Sequence, residues 1–186
     1  MAVQMTKNLP SLPIQRLKEA LNSESVMEQL RNALQENAGA FVASIIDLYA
    51  SDTYLQQCNP NLVIMEALKA ATLKLPINKQ LGFAFIVPYK KNGVLIPQFQ
   101  LGYKGYIQLA MRTGQYKHLN AGIIYEGMKI IDHVLSGEAE ITGEPTSDKP
   151  QEYFAYMELL NGFTKTLHMT RNKIICHAKK YSKSYN

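Results

Sequence analysis

The sequence is poor in the residues that build several large classes of protein. It has no tryptophan and only two cysteines, Cys58 and Cys176, which lie far apart along its 186 residues. Two distant thiols supply neither a disulfide framework nor a cysteine zinc site. Residues 1–10 lack the apolar core of a signal peptide, and no apolar run approaches the ~20 residues of a membrane span. These absences indicate a soluble intracellular protein with reduced thiols, and we expect it in the cytoplasm.

Motifs that carry chemistry are also missing. The chain has neither a Gly-x-x-x-x-Gly-Lys-Ser/Thr phosphate loop nor a Gly-x-Gly-x-x-Gly fingerprint, which excludes the common ATP and dinucleotide sites. The four histidines, which lack the spacing of metal ligands, are His118, His133, His168 and His177. The one local acid cluster, formed by Asp132, Glu138 and Glu140, is expected to be a solvated face. We therefore expect no catalytic residues, no metal site, no required cofactor and no enzymatic activity.

What the chain does contain is charge of one sign in long blocks. The formal net charge is +5, from 20 Lys and Arg against 15 Asp and Glu. Residues 67–125 contain no acid, eight cations and eight of the 17 Phe and Tyr residues, whereas residues 159–186 contain no acid and six cations. The remaining 99 residues carry a net charge of −9. Cations with interleaved aromatics suit single-stranded nucleic acid, because charges follow phosphates and rings stack on bases. The alternative is that the aromatics are core and the lysines ordinary surface.

Hydrophobic spacing predicts that residues 25–75 are mostly helical. A capping-box pattern begins at Ser25, and Asn59-Pro60 marks the start of a later helix. Residues 1–24 are expected to be a flexible lead-in.

The remainder of the chain is predicted to be rich in strands and to end in a helix. Strand-like runs and turn residues occupy residues 81–169. Thr170 is placed to cap a helix over residues 170–183. We therefore predict one α+β domain over residues 25–186.

The first predicted hairpin has a fixed register. A two-residue turn at Asn92-Gly93 sets Tyr89 opposite Ile96 and makes one face of the hairpin apolar. That apolar face is predicted to be core. The other face is mixed, and its members include Phe85, Tyr89, Lys91, Gln98 and Gln100.

A second hairpin is predicted around Asn161-Gly162. The same two-residue turn would place Glu158 opposite Lys165 as a cross-strand ion pair.

Residues 103–114 are predicted to form an amphipathic helix. The side chains expected to face the core are Tyr103, Ile107, Ala110 and Met111. Lys104, Gln108 and Arg112 would form one polar stripe at every fourth residue. Gly102 and Gly105 allow either a close approach to a ligand or only a tight turn.

Several segments resemble the blocks of the RecT family of phage single-strand annealing proteins. The most characteristic is Leu-Gly-Tyr-Lys-Gly-Tyr-Ile-Gln-Leu-Ala-Met-Arg-Thr-Gly-Gln at 101–115. Similar blocks, in the family's order, are Ala-Leu-Lys-Ala-Ala-Thr-Leu-Lys-Leu-Pro at 67–76, Leu-Gly-Phe-Ala-Phe-Ile-Val-Pro-Tyr at 81–89, Pro-Gln-Phe-Gln at 97–100 and Met-Thr-Arg-Asn-Lys-Ile at 169–174. The resemblance covers about residues 25–183.

The resemblance implies a fold, an activity and a set of partners. The fold would be a small antiparallel sheet with helices, similar to the core of the phage lambda Beta protein. The activity would be ATP-independent binding of single-stranded DNA and annealing of complementary strands, with Mg²⁺ only as a counter-ion of the DNA. Partners would be further copies of the chain in a ring or helical filament, a phage 5′→3′ exonuclease and a host single-strand-binding protein. Such proteins usually continue into a Trp-containing portion, which we expect this chain to lack, and they are phage- or prophage-encoded in bacteria.

The candidate DNA-binding residues come from the polar stripe, the mixed hairpin face and the start of the last helix. They are Lys104, Gln108, Arg112, Lys117, Gln98, Gln100, Tyr89, Lys90, Lys91, Tyr106, Arg171 and Lys173. Arg171 and Lys173 lie in a first helical turn, where the helix dipole disfavours cations unless an anion shares the site. Two other functions stay open, a nucleic-acid-coating module without annealing activity and a metal-dependent nuclease.

Overall fold

The computed structural model describes residues 12–182 and 185, and it confirms an α+β architecture. The helices are α1 (Leu12–Leu21), α2 (Glu24–Leu34), α3 (Ala38–Ala50), α4 (Pro60–Thr72), α5 (Tyr103–Arg112) and α6 (Arg171–Tyr181). The strands are β1 (Ala84–Lys91), β2 (Val94–Leu101), β3 (Tyr116–Tyr125), β4 (Lys129–His133), β5 (Glu138–Thr142), β6 (Pro150–Leu159) and β7 (Thr164–Thr170). None of the described helices is long and apolar enough to cross a membrane.

The described part of the chain divides into two compact units, a first unit that ends at Leu109 and a second unit that begins at Ala110. The first unit has the larger core, formed by helices α1–α4 and the inner face of the β1–β2 hairpin. Leu30, Ile45 and Ile64 are among its buried side chains. In the described part of the second unit, Ile124 is the one residue in the buried class.

Helix α1 occupies much of the expected flexible lead-in. Leu17 and Leu21 of this helix are fully buried, so the lead-in prediction is wrong for residues 12–21. Pro13 is the second residue of α1, where a missing N–H costs nothing because first-turn N–H groups have no partner within the helix. The first eleven residues of the predicted lead-in lie outside the described residues.

The β1–β2 hairpin confirms the predicted register. Tyr89 faces Ile96 and Lys91 faces Val94 across the turn. Asn92 and Gly93 both have positive φ, 50° and 83°, as a two-residue turn of type I′ requires. The inner face includes the fully buried Ala84 and Ile86, with Pro97 also buried.

The side chain of Glu66 connects helix α4 to strand β2 of this hairpin. One carboxylate oxygen accepts from the backbone N–H of Phe99 at 2.7 Å, and the other accepts from Lys69 Nζ at 2.6 Å. Glu66 is the last acid before the acid-free block, and its charge is used within the fold.

The second unit contains a three-stranded sheet in the order β3–β6–β7 and a separate β4–β5 hairpin. Strands β6 and β7 form the predicted antiparallel hairpin. Its register differs, because Glu158 faces Thr164 and Met157 faces Lys165. The predicted Glu158–Lys165 pairing is therefore wrong by one residue. Gly162, with φ of 87°, belongs to a three-residue loop that begins at Leu160, and such a loop shifts the register relative to a two-residue turn.

His168 on β7 ties the β4–β5 hairpin to the sheet. Its Nδ1 lies 2.8 Å from Glu152 Oε2 on β6, and its Nε2 lies 3.0 Å from Asp132 Oδ2 on β4. Both ring nitrogens donate only when the imidazole is protonated. The hydrogen bonds to Glu152 and then to Asp132 raise the pKa of His168 above its usual range. Asp132, expected on a solvated face, thus has a partner within the fold.

We predict that His168→Gln destabilises the protein by about 1 kcal/mol near pH 5 and by much less at alkaline pH. A raised folded-state pKa contributes stability that is complete below the usual histidine pKa of about 6.5 and is lost as pH rises through the folded-state value. Denaturant unfolding of both proteins at several pH values measures the difference. If the difference in unfolding free energy stays constant or widens as pH rises, the contacts of protonated His168 with Glu152 and Asp132 do not stabilise the fold.

Candidate nucleic-acid interface

Two glycines at the start of helix α5 pack closely on the backbone of Gly82 and Phe83, just before β1. The backbone N–H of Gly102 donates to the Phe83 carbonyl at 2.9 Å. A Cβ on Gly105 would lie 2.2 Å from the Phe83 carbonyl oxygen, and one on Gly102 would lie 2.2 Å from the Gly82 carbonyl oxygen. Leu109, one turn after Gly105, packs against the core. The glycines therefore serve close packing of the chain on itself.

This packing turns the predicted inner face of α5 to solvent. Tyr103 is 71% exposed, Met111 is 57% exposed and Ile107 is 44% exposed. Ala110 is half-buried. The prediction is wrong for Tyr103, Ile107 and Met111, because the contact at Gly105 decides which side of the helix is covered. By helical spacing, Tyr103 and Ile107 lie on the opposite side from Gly105 and Leu109.

The predicted polar stripe runs along the same helix. Lys104, Gln108 and Arg112 are each separated by four residues within α5, so their side chains line one face. Lys104 and Arg112 are exposed and Gln108 is half-buried. The stripe adjoins the exposed apolar face along the edge formed by Met111.

The mixed face of the β1–β2 hairpin continues to the start of α5. A Cβ on Gly102 would lie 2.9 Å from the Phe85 ring, which places that ring against the helix start. A Cβ on Gly82 would lie 3.5 Å from Lys104 Cδ, so the aliphatic stem of Lys104 lies over Gly82. Gln100 Nε2 donates to the hydroxyl of Tyr89 on the same face. We call this surface of the first unit the hairpin–helix surface, and its residues are Phe85, Tyr89, Gln98, Gln100 and Lys104.

Several cations of the acid-free block are already paired. The ion pairs are Lys69–Glu66 at 2.6 Å, Lys79–Asp52 at 2.8 Å and Lys117–Glu158 at 2.6 Å. Within residues 12–182, by contrast, Lys90, Lys91 and Lys104 form no ion pair. The hairpin end and the start of α5 therefore present positive charge that the described fold does not neutralise.

Lys117, one of the predicted contacts, is engaged with Glu158 across strands β3 and β6. The hydrogen bond from Lys117 raises its own pKa and lowers the pKa of Glu158, so both groups are held in their charged forms. Lys117 is thus paired within the second unit, a pairing that the sequence does not predict.

Helix α6 begins as predicted at a threonine cap. Thr170 Oγ1 accepts from the backbone N–H of Lys173 at 3.3 Å, and the helix ends at Tyr181. Arg171 and Lys173 are exposed in its first turn. Residue 183 of the predicted helix lies outside the described residues.

The structure thus brings one group of predicted residues together. The hairpin–helix surface contains Tyr89, Gln98 and Gln100 together with Lys104. The exposed Lys90 and Lys91 lie beside the turn of the same hairpin. Tyr106, 64% exposed, and the stripe residues Gln108 and Arg112 share helix α5 with Lys104. The boundary between the units falls within α5, so Arg112 belongs to the second unit, as do Lys117, Arg171 and Lys173.

The candidate site is a surface, with no sign of a metal centre in the described part of the chain. Among residues 12–182 and 185, no three His, Cys, Asp or Glu side chains come close enough to hold a metal ion. The same residues leave no buried side-chain nitrogen or oxygen without a hydrogen bond.

The fold and the surface define an α+β protein that exposes cations and aromatic side chains on a hairpin and an adjoining helix. The model of the RecT family matches residues 39–186. The chain therefore belongs to the RecT family.

Two relatives in bacteria are similar to this chain. One is the uncharacterized protein YqaK of Bacillus subtilis (strain 168), 46% identical over 183 residues, which cover 96% of this chain and 63% of the relative. The other is Protein RecT of Escherichia coli (strain K12), 27% identical over 164 residues, which cover 83% of this chain and 60% of the relative. The chain thus spans less than two thirds of the length of each.

Proposed function

We propose that this protein binds single-stranded DNA and anneals it to a complementary strand without ATP, in phage-type homologous recombination in the bacterial cytoplasm. The observation that carries the proposal is the hairpin–helix surface, where the exposed Lys104 adjoins aromatic and amide side chains in a segment of the chain without acids. Membership of the RecT family supports the same function.

Annealing makes and breaks no covalent bond, so the surface needs no catalytic group. Two polyanions must come together, and cations that neutralise phosphates lower the repulsion between them. Contacts to phosphates position a strand without reading its sequence, which leaves the base edges free for pairing. No nucleotide or metal takes part, and Mg²⁺ acts only as a counter-ion of the DNA.

We assign roles according to position. Lys104, Gln108 and Arg112 hold consecutive phosphates along α5, and Tyr106 offers a ring for stacking. The contacts of the hairpin are Tyr89, Lys90, Lys91, Gln98 and Gln100. In the second unit, Arg171 and Lys173 hold phosphate at the start of α6, where N–H groups and cations act together.

We propose three kinds of protein partner. Further copies of the chain would assemble along the strand as a ring or helical filament. A phage 5′→3′ exonuclease would supply the strand, and a host single-strand-binding protein would be contacted on it.

The test mixes two complementary oligonucleotides, one labelled with a fluorophore and the other with a quencher, in the presence of the protein and in the absence of nucleotide. We expect annealing to be faster than the spontaneous rate. A protein that binds both strands and leaves the rate unchanged is a coating module, and cleavage of labelled DNA in Mg²⁺ identifies a nuclease. Either outcome overturns the proposal.

Lys117 should contribute less to binding than Lys104 because Glu158 already neutralises it. We predict that Lys117→Ala changes the slope of log K against log salt by less than half the change caused by Lys104→Ala. Glu158→Gln, which frees Lys117, should strengthen binding. Fluorescence-anisotropy titrations at several salt concentrations measure both effects, and equal changes for the two lysine variants contradict the prediction.

A further inference from the structure

Helix α5 exposes a continuous apolar and aromatic face. Tyr106, Tyr103, Ile107 and Met111 follow one another around roughly 140° of the helix circumference. All four are in the exposed class, although burying such side chains is favourable by about 25 cal/mol per Å². Exposed apolar side chains that lie together and are bordered by polar residues are typical of a binding face.

The surroundings of this face indicate the chemistry of its ligand. Along one edge run Lys104, Gln108 and Arg112, and no Asp or Glu occurs anywhere in residues 67–125. A complementary ligand is therefore anionic along one border and flat and apolar beside it. A single nucleic-acid strand has this pattern, since its phosphates and its base faces run side by side.

We propose that Tyr103, Ile107 and Met111 form a platform for the bases of the bound single strand, while Lys104 and Arg112 hold its phosphates. This inference rests on the proposed function, and it adds that the apolar face of α5 contacts the bases of the strand. Contacts to the faces of bases leave their pairing edges free, so a second strand can pair with a strand that is held in this way. Tyr103, which the sequence analysis assigned to the core, becomes a binding residue.

The test separates bases from phosphates. Binding is measured by fluorescence anisotropy with a thymidine oligonucleotide and with an abasic oligonucleotide of equal length and charge. We expect the wild type to prefer the strand with bases, and Tyr103→Ala to weaken binding to that strand about tenfold. Tyr103→Ala should leave binding to the abasic strand and the salt dependence unchanged, and Tyr103→Phe should keep the preference because stacking needs only the ring.

Tyr54→Ala is the matched control. Tyr54 is 63% exposed, close to the exposure of Tyr103, but it lies beside Asp52, whose carboxylate accepts from its backbone N–H at 3.0 Å. Tyr54→Ala should leave the affinity for the thymidine oligonucleotide and for the abasic oligonucleotide unchanged. Circular dichroism and thermal melting check that all variants fold.

The outcomes that overturn the platform differ from those that overturn the proposed function. A wild type that binds neither oligonucleotide refutes single-strand binding itself. A wild type that binds both equally refutes the platform and leaves phosphate binding intact. A Tyr103→Ala variant that changes the sedimentation coefficient without DNA, and keeps the base preference, assigns the face to a second copy of the chain instead.

Discussion

Replacement of Lys104 and Arg112 together by alanine is expected to weaken binding to single-stranded DNA about 70-fold at 50 mM salt and about tenfold at 200 mM salt. Each cation that contacts a phosphate adds about 0.7 to the slope of log K against log salt for a single strand, so the slope should fall by about 1.4. The loss is larger at low salt because released counter-ions then drive binding most strongly. A salt series of anisotropy titrations gives both the affinity and the slope.

The matched control is Lys18→Ala with Arg31→Ala. These residues are exposed on α1 and α2, and their removal takes away the same two charges of the same two types. We expect this pair to leave the slope nearly unchanged. Equal losses in the two double variants show that net charge, and not the position of the stripe, determines binding.

Gly105→Ala is expected to destabilise the first unit by about 3 kcal/mol. The new Cβ would lie 2.2 Å from the carbonyl oxygen of Phe83, which is backbone and cannot turn away. Helix α5 must then move away from Phe83, and the surface that it forms with the hairpin is lost with it. Denaturant unfolding measures the stability, and DNA affinity should fall in the same variant.

Gly39→Ala is the matched control, because it adds the same methyl group at a position where that group has no close neighbour. Gly39 lies in α3 with nothing within 4 Å of its added Cβ, and alanine favours a helix over glycine by up to about 1 kcal/mol. This control should be as stable as the wild type or slightly more stable. A Gly105→Ala variant that matches it contradicts the packing described for α5.

The elements that the sequence predicted correctly are those fixed by local chemistry. The β1–β2 register followed from Asn92-Gly93, because a two-residue turn allows one alignment. The start of α6 followed from Thr170, whose side chain caps the helix. Family blocks in the sequence predicted the RecT family, which the match over residues 39–186 confirms.

The two errors have different causes, a contact between residues distant in the sequence and a local loop length. The rule that apolar positions face the core failed for Tyr103, because packing at Gly105 chose the other side of α5. The signal was present in the spacing of Gly102 and Gly105, yet two glycines do not show what they touch. Asn161-Gly162 allowed two loop lengths, and the sequence alone did not separate them.

The charge blocks did not show which cations the fold pairs with acids. Their cations include Lys69, Lys79 and Lys117, which the fold pairs with acids that are distant in sequence or at the border of the block. Lys79 and Lys117 pair between elements or across strands, which a count of charges along the chain does not show, whereas Lys69 pairs with Glu66 three residues earlier in α4. Lys104 keeps its unneutralised charge, and it is the residue on which the stripe and the hairpin–helix surface meet.

The central claim is that a single DNA strand lies across the hairpin–helix surface and the exposed side of α5. Photocross-linking of a bromodeoxyuridine-substituted strand, followed by trypsin digestion and mass spectrometry, tests it most directly. We predict cross-links in the tryptic peptides 92–104 and 105–112, which contain Gln98, Tyr103 and Tyr106, and none in peptide 32–69, which contains the exposed Tyr54. Cross-links in peptide 32–69 and none in the other two would contradict the claim.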